Sequence, residues 1–262
     1  MLGRLGRAGK ALLGDKAASV DKAASVDKAV SNEKVLLFEV DEPFTSRYNN
    51  GIDLTGTPGS APNRRSRFYN LVNLLRQTHR IEGSVAECGC WKGLSSYLIC
   101  NELRDADSGF RGQNYFIFDS FEGLSLPSAE DVIRRSIKLE GRDRIGGPMK
   151  SVGAYSASEE SVREVLVEFP EITMVKGWLP QSLECQPERI YRFAHLDLDL
   201  YEPTKGSARY FLKRMAKGGI VVCDDYGSLL WPGAKQAFDE IATEFGLNVV
   251  SLSSGQGIIF TR

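Results

Sequence analysis

Seven short runs of β-branched, aromatic and other apolar residues divide the later two thirds of the chain: Ser84–Glu87, Tyr115–Phe118, Ile172–Lys176, Phe193–Leu196, Ile220–Cys223, Val249–Leu252 and Ile258–Thr261. Most lack polar alternation, the pattern of strands covered on both faces. Four other segments place apolar residues at i, i+3, i+4 and i+7, the stripe of an amphipathic helix. They are Phe68, Leu71, Val72, Leu75; Val162, Val165, Leu166, Phe169; Ala208, Phe211, Leu212, Met215; and Ala234, Ala237, Phe238, Ile241. Helices alternating with buried strands predict an α/β, Rossmann-like doubly wound sheet. Only Ser253-Ser254-Gly255-Gln256-Gly257 separates the last two runs, too little for a parallel crossover, so these should pair as an antiparallel hairpin. Ser156-x-x-Glu159 reads as a capping box for the second helix, and Gly218-Gly219 as the stop of the third.

Upstream the pattern changes. Residues 15–32 repeat a six-residue unit, Asp-Lys-Ala-Ala-Ser-Val, whose period fits neither a heptad nor a solenoid. The stretch from there to Asn63 is rich in Gly, Pro, Thr and Asn and reads as irregular. The expected organisation is an N-terminal arm over 1–63 and a compact domain over 64–262. With 33 Lys+Arg against 34 Asp+Glu there is no basic surplus for coating a nucleic acid. Five cysteines and two distant histidines offer neither an even disulfide set nor zinc spacing. The glycine-broken start is no secretory signal, and no apolar run reaches the roughly 18 residues of a membrane span. The expectation is a protein of the cytoplasm, with no membrane partner.

In a doubly wound sheet ligands bind beyond the carboxyl ends of the strands. Those ends read Glu87-Cys88-Gly89-Cys90-Trp91-Lys92-Gly93, Asp119-Ser120, Gly177-Trp178, Asp197-Leu198-Asp199 and Asp224-Asp225. The first is a glycine-rich turn opening a helix through Ser95 and Ser96, suited to a cofactor carboxylate or simply to a tight turn. Trp91 stands where a dinucleotide fold needs glycine for its pyrophosphate, which argues against a nicotinamide dehydrogenase. Asp119 is placed to accept ribose hydroxyls or to cap the following turn. Asp197 and Asp199, two apart, project to one side of an extended chain. Crowded carboxylates raise one another's pKa and so share a proton or hold a cation, unless they form a solvated turn. Oxygen-only donors favour a hard ion, Mg²⁺ first. His195 reads as a core histidine.

The pieces VAECGCWKGLSS, FDSFEGL, VKGWLPQSL, HLDLDLYEPT and GGIVVCDDYGSLLWPGAKQAFDE, in this order, resemble the macrocin O-methyltransferase (TylF-type) family of class I S-adenosylmethionine-dependent methyltransferases. The resemblance implies a seven-stranded sheet with a reversed last strand. It implies that Glu87, Cys88, Gly89, Trp91 and Gly93 form the cofactor loop, with Ser95 and Ser96 near the methionine end. Asp119 with Ser120 then takes the ribose, and Gly177 and Trp178 line the adenine. Asp197, Asp224 and Asp225 match the family's metal-binding aspartates, and Asp197, which also borders the cofactor, matches the proposed base. Leu94, Leu179 and Ser182 depart from the family's usual residues.

The implied reaction is Mg-dependent O-methylation of a small-molecule hydroxyl on a sugar or glycosylated natural product. Asp197 takes the proton while the ion lowers the hydroxyl's pKa. The competing expectation is a non-catalytic scaffold that binds the cofactor. Related enzymes are often oligomeric, so a homo-oligomer is expected. For the acceptor, Tyr155, Tyr201, Tyr226 and Trp231 can stack on a sugar face or simply pack. The connection from Leu124 to Lys150 carries Arg134, Arg135, Lys138, Arg142, Arg144 and Lys150 against Glu130, Asp131, Glu140 and Asp143, fit for an anionic acceptor or for solvent.

Overall fold

The computed structural model describes residues 36–58, 62–132, 137–139, 142–144 and 152–262. The hexapeptide repeat, and Arg134, Arg135, Glu140 and Lys150, lie outside them. The chain divides into two units, Met1–Thr45 and Ser46–Arg262. Described elements of the first are the short helix α1 (Leu37–Val40) and the start of α2 (Glu42–Thr55). The second unit holds everything that follows.

A seven-stranded sheet is its centre, in the order β5-β2-β1-β6-β7-β9-β8. The strands are β1 (Ser84–Cys88), β2 (Tyr115–Asp119), β5 (Thr173–Lys176), β6 (Tyr191–Leu196), β7 (Met215–Cys223), β8 (Val250–Ser251) and β9 (Gly257–Phe260). A separate antiparallel pair is formed by β3 (Ile137–Leu139) and β4 (Arg142–Arg144). The first five strands of the large sheet run parallel; β9 pairs antiparallel with both β7 and β8. The interior strand β1 is buried along its whole length, including Ser84 and Glu87, while edge strand β8 is exposed.

One layer of helices includes α3 (Pro62–Arg76), α4 (Leu94–Ala106) and α5 (Glu159–Val165), whose apolar faces share a core with Val85, Ile117, Phe193 and Val222. The other includes the short α6 (Gln181–Glu184) together with α7 (Tyr201–Leu212) and α8 (Pro232–Glu244), packed with Ala86, Phe118, Ala194 and Val221. Alternate residues of one strand thus feed opposite cores.

Three local expectations are corrected. Helix α2 occupies part of the stretch that reads as irregular. Its buried positions from Ser46 onward are Tyr48, Gly51 and Thr55, a stripe with one large apolar member, while Leu54 faces solvent. A Cβ at Gly51 would press on Leu94 at 2.6 Å, so glycine lets α2 lie against α4. Ser158, not Ser156, caps α5, its Oγ accepting from Ser161 N at 3.1 Å. Gly218-Gly219 stops no helix: α7 ends at Leu212, Met215 already belongs to β7, and the glycines sit inside that strand. There the register against β6 slips between Tyr191 and Phe193, and Gly218 has φ 79. A bulge of that kind needs glycine as much as a helix end does.

Candidate active site

The chain steps outward from β1 to β2 and β5, then returns to β6 on the other side of β1 and steps out to β7. The β1/β6 boundary is therefore the point where strand order reverses, and a cleft opens at the carboxyl ends of these strands. Its cavity volume is about 200 Å³, and the cleft is open to solvent.

Gly89 makes the crossing possible. Its φ is 82, and a Cβ there would collide with the carbonyl oxygen of Asp197. The Asp197 N–H donates to Cys88 O at 2.9 Å, locking the two strand ends together. The turn then passes through Trp91 (φ 45) to Gly93 (φ 86), which begins α4. Asp119 Oδ2 accepts from Cys90 N at 2.7 Å and Oδ1 from Phe121 N at 2.7 Å. Asp119 thus caps its own turn and ties it to the β1 turn, while still lining the cleft. Each carboxylate oxygen retains acceptor capacity for a hydroxyl. Ser120, Trp178 and Leu179 line the same side, and Trp178 is 40% exposed.

Of the residues singled out from the sequence, Gly89, Trp91, Asp119, Ser120, Trp178, Asp197 and Asp225 border the cleft, together with Asp199. Glu87, Cys88, Gly93, Ser95, Ser96, Gly177 and Asp224 are not among its lining. Glu87 is fully buried, accepting from Tyr115 Oη at 2.7 Å and from the Ser96 hydroxyl, with His195 Nδ1 at 3.1 Å. Burial pushes the Glu87 carboxyl up, but His195, Ser95 and Ser96 outweigh it and hold it below the ordinary range. Glu87 and Ser96 therefore brace the loop from beneath. Burial pushes the Cys88 thiol well up, so it behaves as an inert core residue. Gly177 donates its N–H to Asp119 O at 2.9 Å.

The aspartates separate into two groups that share Asp197. In one, Asp197, Asp199 and Asp225 each bring a carboxylate oxygen within 4.8 Å of the others; in the other, Asp197 meets His195 and Asp224 over the same span. The expected trio of Asp197, Asp224 and Asp225 is thus not one cluster. Asp224 and Asp225 are consecutive and project to different sides. Asp224 accepts from Gln256 Nε2 at 2.8 Å, pairs with Arg67, and lies 3.6 Å from His195 Nε2. Asp225 accepts from the Asp199 N–H at 3.3 Å. Burial, then the charges of Asp199 and Asp197, push the Asp225 carboxyl well up. Asp199 is pushed to about 8 by burial and by Asp197.

Arg64, Arg67, Tyr155 and Trp231 complete the walls. Tyr155 and Trp231 are readable from the sequence as aromatics that can stack. The arginines left a signal too. Arg64, Arg65 and Arg67 crowd the first turns of α3, an end that the helix dipole makes unfavourable for cations.

A sheet in this order with a cleft at its reversal point is the class I methyltransferase fold. Solved structures share it. A calicheamicin methyltransferase is 19% identical with a TM-score of 0.61, covering 82% of this chain and 91% of that one. The O-methyltransferase NovP is 22% identical with a TM-score of 0.58, covering 75% and 80%. The chain belongs to the macrocin-O-methyltransferase (TylF) family, whose sequence profile matches residues 24–249. Curated relatives include demethyldecarbamoylnovobiocin O-methyltransferase of Streptomyces niveus, 26% identical over 178 residues, which are 64% of this chain and 62% of that protein. Another is the 8-demethyl-8-(2,3-dimethoxy-alpha-L-rhamnosyl)-tetracenomycin-C 4'-O-methyltransferase of Streptomyces olivaceus, 28% identical over 152 residues, 56% of this chain and 54% of that one. The chain therefore spans less than two thirds of either relative's length.

Proposed function

We propose that this chain is an S-adenosylmethionine-dependent O-methyltransferase that acts, with a hard divalent cation such as Mg²⁺, on a hydroxyl of a sugar or glycosylated natural product. One observation carries the reading. A single cleft has the turn-fixed carboxylate of Asp119 on one side and the converging carboxylates of Asp197, Asp199 and Asp225 on the other. Family membership supports the chemistry, and the names of the two curated relatives support the acceptor class.

S-adenosylmethionine brings a methyl group already activated on a sulfonium, so the protein's task is alignment and removal of the acceptor's proton. Asp119 offers its free lone pairs to ribose hydroxyls, and Trp178 offers an indole face to the adenine. Gly89 lets the cofactor approach the backbone, beside Trp91. Burial, then mutual repulsion, lifts Asp225 and Asp199 even though Arg67 opposes it, and a donor set of oxygens alone fits a hard cation. Such an ion supplies a lowered pKa for the acceptor hydroxyl. Asp197 belongs to both acidic groups and accepts the proton. Asp225 and Asp199 face the cleft as ligands, and Asp224 reaches Asp197 from below.

The reading assigns the reaction to the unit from Ser46, which holds all these residues. It extends to a homo-oligomer working in the cytoplasm, checked by size-exclusion chromatography and fractionation. Among the described residues no helix is long and apolar enough to cross a membrane. Calorimetry with S-adenosylmethionine and NAD, followed by labelled methyl transfer to glycosides with EDTA or Mg²⁺, tests the central claim. Binding of NAD alone, or turnover indifferent to EDTA, defeats the cofactor or the metal half respectively.

A further inference from the structure

Tyr155 sits on the return leg of the long connection between β2 and α5, and its segment is held by backbone contacts. Leu124 N donates to Ala154 O and Gly153 N to Leu124 O, both at 2.9 Å. Gly123 (φ 83) leaves no room for a Cβ against the carbonyls of Ala154 and Gly153. The same turn starts at Asp119, so Tyr155 is tied through main chain to the acid that ends β2. Its side chain nevertheless reaches the cleft that Asp197, Asp199 and Asp225 line.

Two further features mark this residue. Its φ of 62 is in the left-handed region, where a bulky side chain is disfavoured, and Trp91 (φ 45) and Asp199 (φ 59) share both that strain and the cleft. Of the five non-glycine residues with positive φ among those described, these three border the cleft and Asn114 and Phe121 do not; such strain gathers at ligand sites. The Tyr155 ring also meets Trp91 edge to face, centroids 5.4 Å apart at 80°, yet the residue remains 39% exposed. A tyrosine hydroxyl keeps its proton at neutral pH, so the O–H can donate a hydrogen bond.

We infer that Tyr155 is an acceptor-binding, specificity-determining residue: its ring is a wall on which a sugar face rests, and its O–H donates to an acceptor oxygen beside the aspartates. The inference rests on the methyltransferase reading and adds the residue that selects the acceptor.

The test compares Tyr155→Phe and Tyr155→Ala with the parent, using a 6-deoxyhexoside panel headed by 4-nitrophenyl α-L-rhamnoside. S-adenosylmethionine affinity and thermal midpoint are measured alongside. Tyr155→Phe should lower kcat/KM for the acceptor about tenfold, the worth of one hydrogen bond. Tyr155→Ala should lower it about a hundredfold as the ring contact goes too. Cofactor Kd should stay within twofold for both. Acceptor kcat/KM unchanged in Tyr155→Phe, or cofactor affinity falling in parallel, overturns the inference while leaving the enzyme reading intact. A parent that binds no S-adenosylmethionine, or methylates no member of the panel, overturns the reading and the inference together.

Discussion

Glu87 and Asp225 lie at the same end of one sheet, both buried, yet their surroundings drive their carboxyls in opposite directions. Glu87 is surrounded by donors, with the hydroxyls of Tyr115 and Ser96 and the ring of His195 all turned toward it. Asp225 faces two more aspartates. The first arrangement is a finished structure, because a buried charge with its hydrogen bonds filled stabilises the fold that fills them. The second is unfinished, since like charges in one pocket cost stability until a proton or cation joins them. Stability and function are thus kept apart along the strand ends, Glu87 lying level with Val222 and Asp225 beyond the end of β7.

The largest effect that would break this contrast is on the reaction. Asp197→Asn should lower methyl transfer by about 10²–10⁴-fold, the range of a lost general base, with no loss of thermal midpoint. Parental turnover would remove Asp197 from its role. Next, Glu87→Ala should cost on the order of 3–5 kcal/mol in urea unfolding, because His195, Tyr115 and Ser96 lose their shared acceptor in the core. A cost below about 1 kcal/mol would put Glu87 among ordinary surface acids. Asp225→Asn should do the reverse in the metal-free protein, raising stability in urea unfolding while turnover collapses. Equal destabilisation by both substitutions would erase the distinction.

The smallest effect is the pH dependence, and its sign differs between the groups. Asp199, raised to about 8, holds in the native state a proton that the unfolded chain releases near pH 4. That contribution makes the EDTA-treated fold lose stability as pH rises toward 8. Each kcal/mol moves the midpoint of a domain this size by about 2–4 °C. Glu87, held low, contributes stability above the unfolded carboxylate value that is lost on acidification through its native pKa. Scanning calorimetry at several pH values checks both, and millimolar Mg²⁺ should flatten the alkaline limb by standing in for the proton.

The strand runs were legible because β1, β2 and β6 are largely buried and so carry mostly apolar residues without polar alternation, Glu87 and His195 being buried exceptions. Helix α2 was not, because its buried stripe includes Gly51 and Thr55, chosen for close approach rather than hydrophobicity. The acids at the strand ends were legible as residue types at the right place in a doubly wound sheet. Which of them meet was another matter. Asp224 and Asp225 look alike in a sequence, yet one turns to His195, Gln256 and Arg67 and the other to Asp197 and Asp199.

Local pattern by itself determined the sheet, its alternation with helices and the hairpin at its end, since each follows from periodicity within a short window. Only the tertiary structure decided that Glu87 braces a loop while Asp199 faces a cleft, and that Arg67 and Tyr155 belong to its walls. The reason is geometric: a residue's partners are set by neighbours far away in the chain, such as the 108 positions between Glu87 and His195. Charge, burial and hydrogen bonding act through space, so the same carboxylate becomes a strut or a reagent according to what the fold brings to it.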